Sequence, residues 1–365
     1  MLDQTTFHAG EQAVQKRLGV YDEIGPWARK VVRPYLPEQH RAFYAELPFL
    51  VAAARDAAGR PWATLLTGAR GFTDAPDPGH LRLRTRPVAG DALEDALVPG
   101  AELGLLGIEL ATRRRNRVNG RIAAVGPDGL ELEVGQAFGN CPQYIREREW
   151  EAVAAPAAPP AKRAHTLTPT MREWITGADT FFIASGHRGD GEAASYGMDA
   201  SHRGGPVGFV RIEDERTLVF PDYAGNNHYN TIGNLVLDDR AGLLFVDFEG
   251  GGLLQLTGRT RIDGDSPAVA EHPGARRLVI FELDEGIELP GVLPIRWTGS
   301  GASVRTLRLL EKRRESEDVV SFLFQARDGG ELPDFSPGQH LPIELDVADA
   351  HEPLRRTYSL SNAPG

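Results

Sequence analysis

Two stretches of the chain carry residue types suited to holding an anion. The first is Arg113-Arg114-Arg115-Asn116-Arg117. Side chains of an extended strand alternate between faces, so Arg113, Arg115 and Arg117 share one face and Arg114 takes the other. Guanidinium pairs bidentately with phosphate, and one basic face therefore suits an anionic ligand. A charged edge strand left in solvent has the same composition, and the strand alone does not separate the two readings. The second stretch is Pro221-Asp-Tyr-Ala-Gly-Asn-Asn-His-Tyr-Asn230, leading into Thr231-Ile-Gly-Asn234. It follows a strand-like run and enters a helix-like one. Backbone N–H groups and the amides of Asn226, Asn227 and Asn230 can cradle a phosphate there, with the helix N-terminus adding favourable field. Asparagine is equally a turn former. Ser201, His202 and Arg203 lie in a Gly-rich stretch read as a surface turn that could meet phosphate or substrate. Ser201 and Arg203, with Arg211 in the strand-like run Gly208 to Ile212, complete the candidate set. No catalytic residue stands out. Cys141 reads as a small buried residue rather than a nucleophile, no histidine–carboxylate cluster has metal spacing, and no Gly-x-Gly-x-x-Gly stretch signals a dinucleotide fold.

The elements that must position these residues are short and mostly strands. The run Gly10 to Val32 has a helical rhythm, whereas Phe49 to Ala54, Leu103 to Leu110, Gly129 to Val134, Thr180 to Ser185, Arg216 to Phe220 and Gly242 to Phe248 read as strands. Short strands with Gly-rich turns suit small barrels. Residues Ala152 to Lys162, reading AVAAPAAPPAK, suit a semi-rigid linker, and a second seam falls near Thr298-Gly-Ser-Gly301. A chain of 365 residues implies two or three domains. Its net charge of -11 opposes general nucleic-acid binding. One cysteine excludes a disulfide framework, a Cys-ligated zinc and a complete iron–sulfur site within these residues. With no leader-like N-terminus and no apolar run of membrane length, the expected location is the cytoplasm, with no membrane partner.

The first and middle segments read as copies of one another. Leu105-Leu-Gly-Ile-Glu-Leu110 lies over Leu243-Leu-Phe-Val-Asp-Phe248 at an offset of 138 residues (243 − 105), and the same offset places Gly120-Arg121 on Gly258-Arg259. Upstream, Ala89-Gly90 falls on Ala224-Gly225. Positions where copies differ are not dictated by their shared fold, and the basic strand and the Asn-rich turn are two such positions. Where copy one has Arg113-Arg-Arg-Asn-Arg117, copy two has Gly251-Gly-Leu-Leu-Gln255; where copy two has Asn226, copy one has the acid of Ala89-Gly-Asp-Ala92. One composite pocket is therefore expected, with copy two holding a phosphate and copy one contributing the basic strand.

The stretch Thr217 to Leu235, then Arg240-Ala-Gly-Leu-Leu-Phe-Val246, resembles the pyridoxamine 5'-phosphate oxidase-like FMN-binding split barrels, closest to their flavin-nucleotide-binding branch. Asp199 to Phe209 and Gly139-Asn-Cys-Pro-Gln-Tyr-Ile145 fit the same branch. The resemblance covers residues 7 to 297. It implies a barrel that dimerises with FMN between subunits, the phosphate held by the strand–turn matching Phe220 to His228 and the partner strand matching Arg114-Arg115. Here copy one would replace the partner, giving a monomeric pseudo-dimer or a homodimer. The oxidase's Ser-Arg-Lys phosphate triplet falls on Asn226-Asn227-His228 and its ring-facing glutamine on Arg115, a departure that argues against pyridoxamine phosphate as the substrate.

A second resemblance lies in the tail. Leu332-Pro-Asp-Phe-Ser-Pro-Gly-Gln-His-Leu-Pro-Ile-Glu-Leu345, followed by Leu354-Arg-Arg-Thr-Tyr-Ser-Leu-Ser361, is similar to the first strands of a ferredoxin-reductase-type FAD domain. Its Arg-x-Tyr-Ser signature matches Arg356, Tyr358 and Ser359, implying an arginine on flavin phosphate, a ring stacked on isoalloxazine and a hydroxyl at the reactive edge. The chain ends before the rest of such a barrel, so an incomplete FAD site is expected. Together these readings give a mainly β fold with flanking helices. Tandem FMN-binding split barrels occupy 1-151 and 165-298, a linker spans 152-164, and a partial antiparallel barrel of reductase type spans 303-365. The function expected is an FMN-dependent oxidoreductase module acting on a small-molecule substrate and coupled to a reductase electron donor. The alternative is a non-catalytic flavin- or haem-binding storage or sensor module.

Overall fold

The sequence suggests one helix over Gly10 to Val32, but two form there, α1 (Ala9–Arg17) and α2 (Tyr21–Val31). The break is at Gly19, whose φ of 71° is open to glycine. There the Val20 N–H bonds the Gln15 carbonyl at 3.0 Å and the Gly19 N–H bonds that of Lys16 at 3.1 Å, the double closure of a Schellman motif. The computed structural model describes residues 6–154, 159–191, 193–272, 274–299, 307–316, 319–326, 340–345 and 354–359.

After α3 (Glu38–Glu46), copy one contributes β1 (Phe49–Arg55), β2 (Pro61–Thr67), β3 (Thr73–Asp77), β4 (His80–Leu83), β5 (Glu102–Glu109), β6 (Arg114–Gly126) and β7 (Gly129–Gly139). They pair in the order β2-β1-β5-β6-β7-β4-β3. β8 (Arg148–Ala152) and β9 (Lys162–Ala164) lead to α4 (Pro169–Gly177), which starts where the Thr168 hydroxyl accepts the Met171 N–H at 3.1 Å. Copy two follows with β10 (Thr180–His187), β11 (Gly197–Gly204), β12 (Arg211–Ile212), β13 (Thr217–Tyr223), α5 (Asn230–Leu237), β14 (Arg240–Asp247), β15 (Gly252–Asp263) and β16 (Ala275–Leu289). Its order, β11-β10-β14-β15-β16-β13-β12, repeats that of copy one strand for strand. Both sheets are mixed-length antiparallel ladders that run as open paths and do not close.

The correspondence extends to register. Val51 faces Leu106 in copy one, and Phe182 faces Leu244 in copy two. Both copies bulge at the same step, between Asn119 and Gly120 and between Thr257 and Gly258. A Cβ on Gly120 would stand 1.9 Å from the Glu133 carbonyl oxygen, and one on Gly258 2.0 Å from that of Glu282. Only glycine permits this bulge, which explains why a Gly-Arg pair recurs in both copies.

The copies merge into one compact unit, Met1–Gly299, rather than two separate domains. Gly104 on β5 packs on Met198 of β11, and Gly242 on β14 packs on Pro61 of β2; a Cβ at these glycines would meet the opposing carbonyl oxygens at 2.5 and 2.6 Å. Such reciprocal contact is the signature of a two-fold interface. One apolar core accordingly joins Leu105 and Leu106 with Phe182, Leu244 and Trp297. The stretch expected as a free linker is anchored at both described ends, where β8 pairs with β17 (Ile295–Gly299) and β9 pairs with β16. Ladder pairing satisfies backbone groups that an exposed linker would leave to water.

The second unit is Ser300–Gly365. In it β18 (Leu307–Arg314) pairs with β19 (Val320–Ala326), and β20 (His340–Leu345) with β21 (Leu354–Ser359). Arg356, Tyr358 and Ser359 sit on β21 opposite Ile343, Leu341 and His340; their side chains lie outside the described residues. No helix among the described residues is long and apolar enough to cross a membrane.

Candidate functional site

β6 runs between β5 and β7, so its arginines are not those of a solvated edge strand. Arg113 departs from the expected basic face. It lies before the strand with φ of 55° and pairs in solvent with Glu147 at 3.2 Å. Arg114, on the opposite face, lies 4.9 Å over the Phe43 ring. Arg115 and Arg117 alternate onto the face turned toward copy two, where both line a cavity of about 110 Å³.

Copy two supplies the facing wall. Ser201 and Arg203 stand on β11, a strand rather than the expected turn, and strand alternation aims both into the cavity. The turn after β13 brings Asn226, Asn227 and Asn230 to the same cavity. Asn227 and Tyr229 there hold φ of 60° and 59°, a region unfavourable to a ring-bearing residue. α5 begins at Asn230 with no side chain capping its N-terminus, and Thr231 and Ile232 of its first turn line the cavity. Uncapped N–H groups at that end favour an anion. Tyr144 and Tyr223, both on the cavity wall, stack with ring centres 5.3 Å apart. Arg211 is not part of the site: it sits on β12, and its guanidinium pairs with exposed Glu271 at 3.1 Å.

The three cavity guanidiniums differ in how they are held. Arg117 is fixed by Asp199 at 3.1 Å, the Ser201 hydroxyl at 2.7 Å and Asn230 at 2.8 Å. Arg203 meets Asp222 at 3.6 Å, and the same carboxylate meets Arg277 at 3.4 Å. Arg115 makes no side-chain hydrogen bond or ion pair among the described residues, and its Nε is buried without a partner. Burial, with repulsion from Arg117 and Arg203, pushes its pKa down to about 10, so it remains a cation at neutral pH. An uncompensated cation withdrawn from water is costly and is relieved by an incoming anion. His202 is buried on the same wall with both ring nitrogens unpartnered. Burial, then Arg115, Arg203 and Arg148, hold it well below its ordinary value, leaving a neutral imidazole with one N–H to donate.

Glu11 belongs to the support of this site, and no local signal in the sequence connects it to residue 230. α1 crosses α5 where backbone meets backbone: a Cβ on Gly10 would lie 2.1 Å from the Gly233 carbonyl oxygen. The crossing places buried Glu11 against Asn230, whose amide donates to its carboxyl. Burial pushes the Glu11 pKa up to about 8. What was readable is the local part, the reciprocal His8–Glu11 capping of α1.

Residues 167–283 match the family described as pyridoxamine 5'-phosphate oxidase. The match takes in the cavity wall of copy two and leaves out Arg115 and Arg117. A flavohemoprotein of Chromobacterium violaceum is 41% identical over 66 residues, 18% of this chain and 16% of that protein. One from Pseudomonas aeruginosa is 43% identical over 65 residues, again 18% of this chain and 16% of that protein. The likeness fits their FAD-binding reductase part, and the chain spans about a sixth of the length of these curated relatives. Among solved structures, a HupZ variant of Group A Streptococcus shares 12% identity, covering 34% of this chain and 99% of that one, with a TM-score of 0.27. HutZ, the heme storage protein of Vibrio cholerae, shares 13%, covering 34% and 96%, with a TM-score of 0.24.

Proposed function

We propose that this chain is an FMN-dependent oxidoreductase module. In this reading copy two holds the flavin phosphate, copy one closes the pocket, and a FAD-bearing reductase unit supplies electrons. The observation that carries the reading is one cavity built from both copies, into which Arg115 projects without a partner among the described residues. Its volume of about 110 Å³ lies well below the roughly 300–1,000 Å³ of pockets that enclose a whole ligand. It therefore fits the phosphate end of a nucleotide, and the ring system would lie outside it. Arg115, Arg117 and Arg203 neutralise the phosphate, while Ser201 and the amides of Asn226, Asn227 and Asn230 orient it. When bound, the flavin supplies the redox chemistry. No side chain is assigned to the reacting atoms.

Two likenesses support the reading: the oxidase-family match over 167–283 and the flavohemoprotein likeness over 66 residues. In the second, Arg356, Tyr358 and Ser359 are the FAD candidates on β21. Because both walls of the pocket come from one chain, a monomer suffices to complete it, and the substrate would be a small molecule. Titrating FMN into apo-protein by fluorescence quenching tests the proposal. Saturation at a single FMN per chain is expected. Purified protein that neither carries flavin absorbance nor quenches FMN, or that shows a haem Soret band instead, overturns it.

A further inference from the structure

Two tyrosines on the cavity wall have no part in holding a phosphate. Tyr144 comes from the segment after β7 and Tyr223 from the end of β13, so each copy supplies one ring. The rings lie 5.3 Å apart with their planes 24° from parallel, an offset stack. Tyr144 is presented outward by its backbone. Its neighbour Ile145 is buried in the core, and the Ile145 N–H turns back to the Pro142 carbonyl at 3.5 Å. Tyr144 itself holds φ of 64°, unfavourable to a ring-bearing residue, and remains 38% exposed. Gly204 of β11 supports that backbone from copy two: a Cβ there would stand 2.1 Å from the Tyr144 carbonyl oxygen. At the end of β13 the ladder with β16 bulges, Asp222 facing Arg277 but Tyr223 facing Ala275, and both Asp222 and Tyr223 reach the wall. The shared fold requires no aromatic here. In copy one the counterpart of Tyr223 is Val88, beside the Ala89-Gly90 that matches Ala224-Gly225, and it packs on the core.

The anion end is fixed apart from this pair. The Asp199 carboxylate already pairs with Arg117 and accepts from the Ser201 hydroxyl, at 3.1 Å each. The direct cation for an incoming anion is therefore Arg115, which has no partner among the described residues. We propose that Tyr144 and Tyr223 form the stacking platform for the planar ring of a ligand whose phosphate meets Arg115. This rests on the reading of that cavity as a phosphate site, and it names the ligand class as a phosphomonoester with a flat aromatic head. A ring laid on a pair already stacked gains dispersion contact and orders few side chains on binding.

The test is calorimetric titration of the full chain with FMN, then displacement of bound FMN by ribose 5-phosphate, which keeps a phosphate and lacks the ring. Tyr144→Ala should weaken FMN about tenfold or more and leave ribose 5-phosphate within about twofold of wild type. Tyr144→Phe keeps the ring without the hydroxyl and should hold FMN close to wild type. Tyr144→Ala that binds FMN like the wild type, or that loses both probes equally, overturns the platform. So does Tyr144→Phe that loses as much FMN affinity as Tyr144→Ala, since the hydroxyl would then be the contact. Should Tyr144→Ala fail to fold, Tyr223→Val takes its place with the same expected and overturning results. A wild type that binds no FMN, or from which ribose 5-phosphate does not displace it, overturns the phosphate reading and the platform with it.

Discussion

Replacing Arg115 with methionine should move stability and affinity in opposite directions. The side chain has no partner among the described residues, so its removal breaks no ion pair with them. A fall from 12.5 to about 10 corresponds to roughly 3 kcal/mol of disfavoured charge. Part of the guanidinium reaches solvent, which screens that cost, so the expected gain in the apo-protein is nearer 1 kcal/mol. For a folded unit of this size that is a rise of about 2–4 °C in melting temperature. Binding goes the other way: a lost charge-assisted contact costs about 1.5–3 kcal/mol, or ten- to a hundredfold in Kd. Arg117→Met is the contrast, because it removes the cation paired with buried Asp199 and should destabilise by about 3 kcal/mol while also weakening FMN. Thermal unfolding without ligand and FMN titration separate the two effects. Arg115→Met with a lowered melting temperature and unchanged FMN affinity would refute the reasoning and return Arg115 to a structural role.

Three further outcomes follow from neighbouring contacts. Glu11 has its carboxyl raised to about 8 from 4.5 by burial, so its contribution to stability is fully present below about pH 4.5 and is lost as pH rises through 8. Denaturant unfolding across that range should show the decline in the wild type and a flatter profile in Glu11→Gln. Gly10→Ala should cost about 1–3 kcal/mol, since α1 must back away from the Gly233 carbonyl, and chemical denaturation measures it. Gln255→Ala should lower stability by about 1–3 kcal/mol by freeing the half-buried Ala92 N–H and buried Asp91, yet leave FMN affinity close to wild type in the same titration.

Much of the fold was legible because its rules are local. Gly120 and Gly258 recur since a Cβ at either position meets a carbonyl oxygen, and a residue required by backbone geometry survives divergence. Short strands bounded by glycine read as strands for the same reason. Local pattern fails where the deciding partner is remote. The helical rhythm of Gly10 to Val32 hides the stop at Gly19, because apolar spacing reports a face and not a cap. Arg113 has the alternation of a strand residue but sits before the strand starts, and Arg211 has the composition of a phosphate ligand but a neighbour in Glu271 that residue spacing does not show. Glu11 meets Asn230 only because two glycines let α1 and α5 touch.

The candidate site was proposed from difference rather than pattern. Strand order, register and bulge are common to both copies, so they carry no information about a ligand. What remains is a set of paired positions where chemistry diverges on a shared frame: Arg117 against Gln255, Ser201 against Thr64, Asn226 against Asp91. In copy one the members of that set satisfy one another, an anion against neutral donors. In copy two Arg117 and Ser201 are bridged instead by the carboxylate of Asp199, and Asn226 is a neutral amide on the cavity wall. Around them Arg115 and His202 keep buried nitrogens without partners. Folding alone gains nothing from leaving such groups unpaired. A single anionic acceptor opposite Arg115 is the chemistry that a phosphate would bring.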